Sequence, residues 1–303
     1  MTDTRARLKG WARPRLLRAA EVLARNHVAG ETADAAARVA ERLAARGIAT
    51  TIGYWDRPDD TPAEVAAQYL ACLDALPAGR PGHVSIKLTA LRLSADESDR
   101  VLARAAELGR RVHLDAMDHP AAGPTLAVLA GMRERHPAAD LGHTLPGRWR
   151  RSVADADTAV ELGVAARVVK GQWADPEDPD ADRRAGFLRV VDALAGRARE
   201  VAVASHDVPL AAEACRRLRT AGTPCVLELL HGLPMRASLR QARELGLPVR
   251  VYVPYGTAYL PYALGALRRE PGKLVWLARD VAGALADSLT ATARERLGVR
   301  AGR

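Results

Sequence analysis

The chain has 303 residues, 48% hydrophobic and 27% charged, which is the balance of a globular protein with material for one large core or two ordinary ones. No window approaches 18 consecutive apolar residues and the N-terminus lacks the apolar run of a secretory signal, so the expected location is the cytoplasm. The net charge of +9 would suit an anionic partner, yet the basic residues are interleaved with Asp and Glu and aromatics make up only 4%, so no nucleic-acid partner is expected.

Residues 1–48 are expected to form an N-terminal helical segment. Its start sets Arg5, Arg7, Lys9, Arg13, Arg15 and Arg18 beside Leu8, Trp11, Leu16 and Leu17. That pattern fits a helix packed by an apolar stripe, with peripheral contact to the inner membrane surface as the other reading. From residue 49 onward a unit recurs: a short β-branched run, a polar loop, then an Ala/Leu/Arg-rich helical stretch. The runs are ATTIGY (49–54), HVSIKL (83–88), RVHLDA (111–116), ADLGHT (139–144), ARVVKG (166–171), VAVAS (201–205), CVLELL (225–230) and VRVYV (249–253). Helical patterns near 33–47, 63–76, 97–109 and 209–222 fill gaps between them, several closing on Gly. The repeat of roughly 24–35 residues is that of a βα unit, and eight of them predict a (β/α)8 barrel. The fourth run is the least regular, since it carries Asp140 and Gly142. No GxGxxG follows the first strand, so a dinucleotide-binding open sheet lacks its main support. Cys72, Cys215 and Cys225 are widely spaced with no CxxC, which predicts buried thiols and no zinc site or disulfide framework.

Barrel enzymes keep their chemistry at the carboxyl ends of the strands. Those ends carry Tyr54, Lys87, Asp115, His143 with Thr144, Lys170, His206 with Asp207, Glu228 with His231, and Tyr252. Eight strand ends, each with a polar group converging on one rim, predict an enzyme; a catalytically inactive barrel that serves as a binding protein is the reading from another class. Three chemistries suit the set. A metal could use His143, His206, His231 and Asp115, although His-x-His and HExxH are absent. Lys87 or Lys170 could serve as a Schiff-base amine. Arg167 and Lys170, three apart on one strand and followed by Gly-Gln-Trp (171–173), could hold an anionic cofactor.

From about residue 28 to 274 the motifs, in order, resemble those of the proline dehydrogenase family. SIKLTAL (85–91) is similar to that family's second strand, which makes Lys87 its active-site lysine. HLDAMD (113–118) resembles the DAE motif, keeping Asp115 and placing Met117 at the glutamate. RVVKGQW (167–173) is similar to the motif whose Arg and Lys contact flavin, with Trp173 for the usual Tyr. ASHD (204–207) resembles ATHN, LELLHG (227–232) resembles FQMLYG, and VRVYVPYG (249–256) resembles the eighth strand. The resemblance implies a distorted barrel over residues 49–290 with a C-terminal helix over the active site, and a tail at 291–303. It implies FAD as cofactor, held by Arg167, Lys170, Gly171, Trp173, Ser205, His206 and Glu228. It further implies catalytic roles for Lys87, Asp115, Tyr252 and Tyr262, with Lys87 and Asp115 as a charge pair. The substrate would be a small amine or imino acid, and the electron acceptor a quinone or oxygen.

Two departures bear on chemistry. The family's carboxylate-binding arginine pair follows Tyr262 in a Tyr-x-x-Arg-Arg pattern, and here those positions are Gly265 and Ala266. Arg268 and Arg269, roughly a helical turn on, are the candidates for a displaced clamp. A flavin-contacting Gln in the family falls on Pro146, and the Tyr after it on Arg148. The expected reaction is therefore amine oxidation on a substrate other than free L-proline, with ordinary proline oxidation through Arg268 and Arg269 as the alternative.

Overall fold

The computed structural model describes residues 29–77, 79 and 82–258. The basic N-terminal stretch and the segment carrying Tyr262, Gly265, Ala266, Arg268 and Arg269 lie outside the described residues.

Eight parallel strands pair in chain order and close on themselves. They are β1 (Ala49–Tyr54), β2 (Gly82–Ile86), β3 (Val112–Leu114), β4 (Leu141–Pro146), β5 (Ala165–Val169), β6 (Val201–Ala204), β7 (Cys225–Leu230) and β8 (Val249–Tyr255). Each coincides with one of the eight apolar runs, and β8 pairs back to β1 from Ala49–Arg250 to Tyr54–Tyr255. Helix α1 (Ala33–Ala44) precedes β1; α2 (Pro62–Ala75), α3 (Ala95–Glu107), α4 (Ala122–Arg135), α5 (Ser152–Glu161), α6 (Arg183–Leu194), α7 (Val208–Thr220) and α8 (Arg236–Glu244) follow β1 to β7 in turn. Helix α1 packs on β8 and β1 beside α2, so the outer wall begins within the segment expected as an N-terminal extension.

Local sequence sets where the helices start and stop. Thr61 and Glu64 form a reciprocal capping box at α2, with Pro62 in its first turn. Ser94, Asp182 and Asp207 accept backbone N–H groups at the starts of α3, α6 and α7. Gly109 (φ +61°) and Gly222 (φ +75°) take the left-handed conformation just past α3 and α7.

Side chains alternate between the two faces of each strand. One set, including Ile52, Ile86, Leu114, Leu141, Val168, Val203, Leu227 and Val251, is buried in the apolar layer between sheet and helices. The other set meets across the barrel and is polar: Ser85, His113, Asp115, Thr144, Arg167, Glu228 and Tyr252. Barrels are commonly filled here by branched aliphatics; this one fills its interior with charges and hydrogen bonds. Gly142, the irregular feature of the fourth run, has its physical reason in that interior: a Cβ there would collide with the His113 ring. Gly53 likewise admits the Tyr252 phenol. The three cysteines are buried and unbridged, as expected.

Candidate active site

The centre of the site is Arg167 on β5, which is 4% exposed. Its Nη1 donates to Asp115 Oδ1 at 2.8 Å and to Ser85 Oγ at 3.1 Å, and lies 3.4 Å from Thr144 Oγ1. Its Nη2 sits 2.9 Å from Glu228 Oε1, a charge contact without hydrogen-bond alignment, since both Glu228 oxygens lack a hydrogen-bond donor. The Tyr252 ring lies 5.2 Å from the guanidinium, and its hydroxyl donates to Asp115 Oδ2 at 2.8 Å. Burial works against the charge of Arg167, and Glu228 and Asp115 outweigh it, so its pKa rises further. Burial, with Asp115 adding to it, drives the Tyr252 phenol well above its ordinary value. Tyr252 is therefore neutral and a donor.

Lys87 follows β2 and is 3% exposed. Its Nζ donates to the Tyr54 carbonyl and lies 4.7 Å from the centre of the Trp55 ring. Its backbone N–H donates to Tyr69 Oη at 3.0 Å. Desolvation lowers the amine's pKa, with Asp115 and Asp56 opposing. The expected Lys87–Asp115 charge pair does not form: Asp115 is bound by Arg167, Ser85 and Tyr252, and Lys87 turns to Tyr54 and Trp55.

A second group gathers where β5 and β6 end. Lys170 Nζ and Arg184 Nη1 both reach Asp207 Oδ2, at 2.9 and 2.6 Å. Asp207 also caps α7, and although burial opposes, these two cations and the Leu210 N–H bring its carboxyl down to about 2. Ser205 Oγ accepts from the Asp207 N–H at 3.1 Å. His206 has both ring nitrogens on backbone: Nδ1 to the Pro234 carbonyl at 3.0 Å and Nε2 accepting from the Leu230 N–H at 2.8 Å. Those bonds require the neutral ring, and burial lowers its pKa to about 4. Gly171 takes φ +89°, and a Cβ there would lie 2.9 Å from that of Arg148. The Trp173 carbonyl accepts from Trp149 Nε1 at 3.1 Å.

Sequence comparison finds proline dehydrogenase 1 of Bacillus subtilis subsp. natto, 23% identical over 277 residues that cover 85% of this chain and 90% of the relative. Proline dehydrogenase 1 of Bacillus subtilis strain 168 is 24% identical over the same shares. No family model matches the chain. Among solved structures, proline utilization A from Bdellovibrio bacteriovorus inactivated by N-propargylglycine superimposes with a TM-score of 0.68 at 18% identity, over 81% of this chain. A mutant (D779Y) of proline utilization A from Bradyrhizobium japonicum gives 0.62 at 19% identity, over 80% of this chain. The fold is shared with proline utilization A. The chain spans about a third of the length of those structures (32% and 30%).

Within this proline utilization A-type barrel, several rim residues expected from the sequence fall elsewhere. His143 lies on the outward face of β4, toward Arg151 and Asp155 of the α5 side, and burial lowers its pKa to about 4. Alternation decided this, because Thr144 next to it points inward to His113 and Arg167. Tyr54 also faces the helices, its ring 5.2 Å from Tyr255 and its hydroxyl on Asp60 Oδ2 at 2.7 Å. With His143 outside and His206 bound to backbone, the histidine metal set does not assemble, and among the described residues no cluster suits a metal ion. The opposite end of the barrel is crossed by Arg111, which binds Asp140 at 2.9 Å and Glu200 at 2.7 Å, with Arg250 3.4 Å from Glu200. A groove of about 450 Å³ between α3 and the α4–β4 loop, lined in part by Arg110, His136 and Asp140, belongs to that far end and holds none of the site groups. Among the described residues no helix is long and apolar enough to cross a membrane.

Sequence reasoning missed Ser85, Arg184 and the loop contacts of Arg148–Arg150. Arg184 left one signal: a basic pair in the first turn of a helix opposes the helix dipole and calls for an acidic partner.

Proposed function

We propose that this chain is a flavin-dependent oxidoreductase of the proline dehydrogenase type, oxidising the C–N bond of a small secondary amine to the imine. The observation that carries the reading is the Arg167 constellation inside the carboxyl-terminal half of the barrel. Similarity to proline dehydrogenases over 85% of the chain supports it. The chemistry of these residues suits a flavin: Arg167 Nε, a donor, and both Glu228 oxygens, acceptors, are buried without hydrogen-bond partners, and a flavin ring would offer both acceptor and N–H atoms. Arg167, Lys170, Gly171, Trp173, Ser205, His206 and Glu228 would hold FAD, which would supply a two-electron acceptor for the hydride that leaves the carbon next to nitrogen.

The chain's own residues then have separate tasks. Arg167 places a fixed positive charge where negative charge grows during reduction. Asp115 and Glu228 orient that guanidinium, and Tyr252 fixes Asp115. Lys87, a buried cation beside the rim, disfavours the protonated form of a bound amine, and hydride departs only from the neutral amine. Tyr262 belongs to this group by sequence alone. A quinone or oxygen would reoxidise the cofactor.

The substrate proposed is an amine without proline's free carboxylate, such as an amide-linked prolyl group. The replacement of the family's two arginines by Gly265 and Ala266 supports this, since each charge-assisted bond contributes about 1.5–3 kcal/mol. The test is an absorption spectrum of the purified, FAD-reconstituted protein before and after anaerobic addition of L-proline or L-prolinamide. Flavin bands that bleach with prolinamide and persist with proline are expected. Bleaching by proline at low concentration would mean that Arg268 and Arg269 supply the clamp. Failure to take up FAD would replace the enzyme with a binding protein.

A further inference from the structure

Between β5 and α6 runs a loop of thirteen residues, 170–182, with no helix or strand of its own. It carries Lys170, Gly171 and Trp173, and a loop of this length gains a defined conformation only from what holds it. Three consecutive residues of the neighbouring β4–α5 loop do so. Arg148 Nη2 donates to the Pro179 carbonyl at 2.7 Å and Nη1 to the Gln172 carbonyl at 3.3 Å. Trp149, 3% exposed, donates from Nε1 to the Trp173 carbonyl at 3.1 Å. The Arg150 N–H donates to Asp175 Oδ2 at 2.7 Å, and Asp175 Oδ1 accepts from Glu177 N–H at 2.9 Å. Asp175 is 2% exposed, so this anchor is inside the protein. The near end is fixed as well, because the Gly147 N–H donates to the Val169 carbonyl at 2.7 Å.

We propose that Arg148 is a positioning residue: through the Gln172 and Pro179 carbonyls it fixes the 170–182 loop so that Lys170, Gly171 and Trp173 are preorganised for an anionic dinucleotide cofactor. The cofactor part rests on the function proposed above. The loop contributes affinity because its ordering cost is met during folding and not at binding. In this scheme Arg148 acts through the loop, since its Nη1 and Nη2 are committed to two carbonyls there.

Arg133 provides a matched control. It also spends its guanidinium on backbone carbonyls, those of Leu162, Pro137 and Ala139 at 3.0, 2.7 and 3.0 Å, but before β4 at the far end of the barrel. The experiment measures FAD dissociation constants by fluorescence titration of apoprotein for wild type, Arg148→Met, Arg148→Lys and Arg133→Met. Arg148→Met is expected to weaken FAD binding about tenfold or more, which is about 1.4 kcal/mol. Arg148→Lys, able to reach one carbonyl, should fall between, and Arg133→Met should lower thermal stability while leaving FAD affinity alone. Equal affinities for Arg148→Met and wild type, or equal losses in Arg148→Met and Arg133→Met, would overturn the proposal. Should wild type bind no FAD, the function proposed above fails by itself, and hydrogen exchange then reads the loop. Faster exchange across 170–182 in Arg148→Met but not in Arg133→Met supports the positioning role, and unchanged exchange rejects it.

Discussion

Replacing Arg167 by Met removes the one cation that buried Glu228 and partly buried Asp115 share. Asp115 keeps the Ser85 and Tyr252 hydroxyls as donors at 2.7 and 2.8 Å. Glu228, 3% exposed, forms its ion pair with Arg167 and accepts no hydrogen bond at either oxygen, so only the more distant charge of Arg250 remains to it. Breaking a buried pair by deleting one partner costs about 3–5 kcal/mol. For a chain of this size each kcal/mol moves the melting temperature by about 2–4 °C, so a fall on the order of 10 °C is expected. Thermal and urea unfolding followed by circular dichroism would measure this. A second substitution, Glu228→Gln, should restore about 2 kcal/mol or more to Arg167→Met while destabilising the wild-type background, because it removes the uncompensated charge. Additive losses in the double variant would refute the claim that Glu228 is held by Arg167.

Two further outcomes follow from the geometry. Gly53→Ala sets a methyl group against the Tyr252 hydroxyl; the phenol must move off Asp115, with an overpacking cost of about 1–3 kcal/mol. Wild-type unfolding curves for that variant would show that Tyr252 does not lie across Gly53. Burial holds His83, His113, His143 and His206 below their ordinary pKa, the last two at about 4. The unfolded chain binds those protons near pH 6.5 and the folded one does not. Stability should therefore be complete above about pH 6.5 and fall by up to about 1.4 kcal/mol per pH unit for each ring as pH drops toward 4. Urea midpoints that stay level from pH 7 to 5 would contradict the neutral, buried state.

What the sequence by itself determined is the barrel. Eight β-branched runs at the βα period, with helix caps such as Thr61, Ser94, Asp182 and Asp207 between them, are local signals, and local hydrogen bonding and alternation suffice to read them. The order of motifs around Lys87, Asp115, Arg167 and Tyr252 was legible as well, because those residues sit at strand ends, which topology sends to one rim. Pairing was not legible. Strand alternation separates residues that the sequence reading set together on the rim: of His143 and Thr144 only Thr144 faces inward, and Tyr54 faces the helices. Which acid meets which base depends on barrel closure: Arg167 takes Asp115 from 52 positions away, leaving Lys87 to the Tyr54 carbonyl and the Trp55 ring. Arg148 shows the same limit, since its Nη1 and Nη2 bind carbonyls 24 and 31 residues further along, which no local pattern announces. Side-chain partners across a closed sheet are set by register and three-dimensional reach, and only the tertiary structure fixes those.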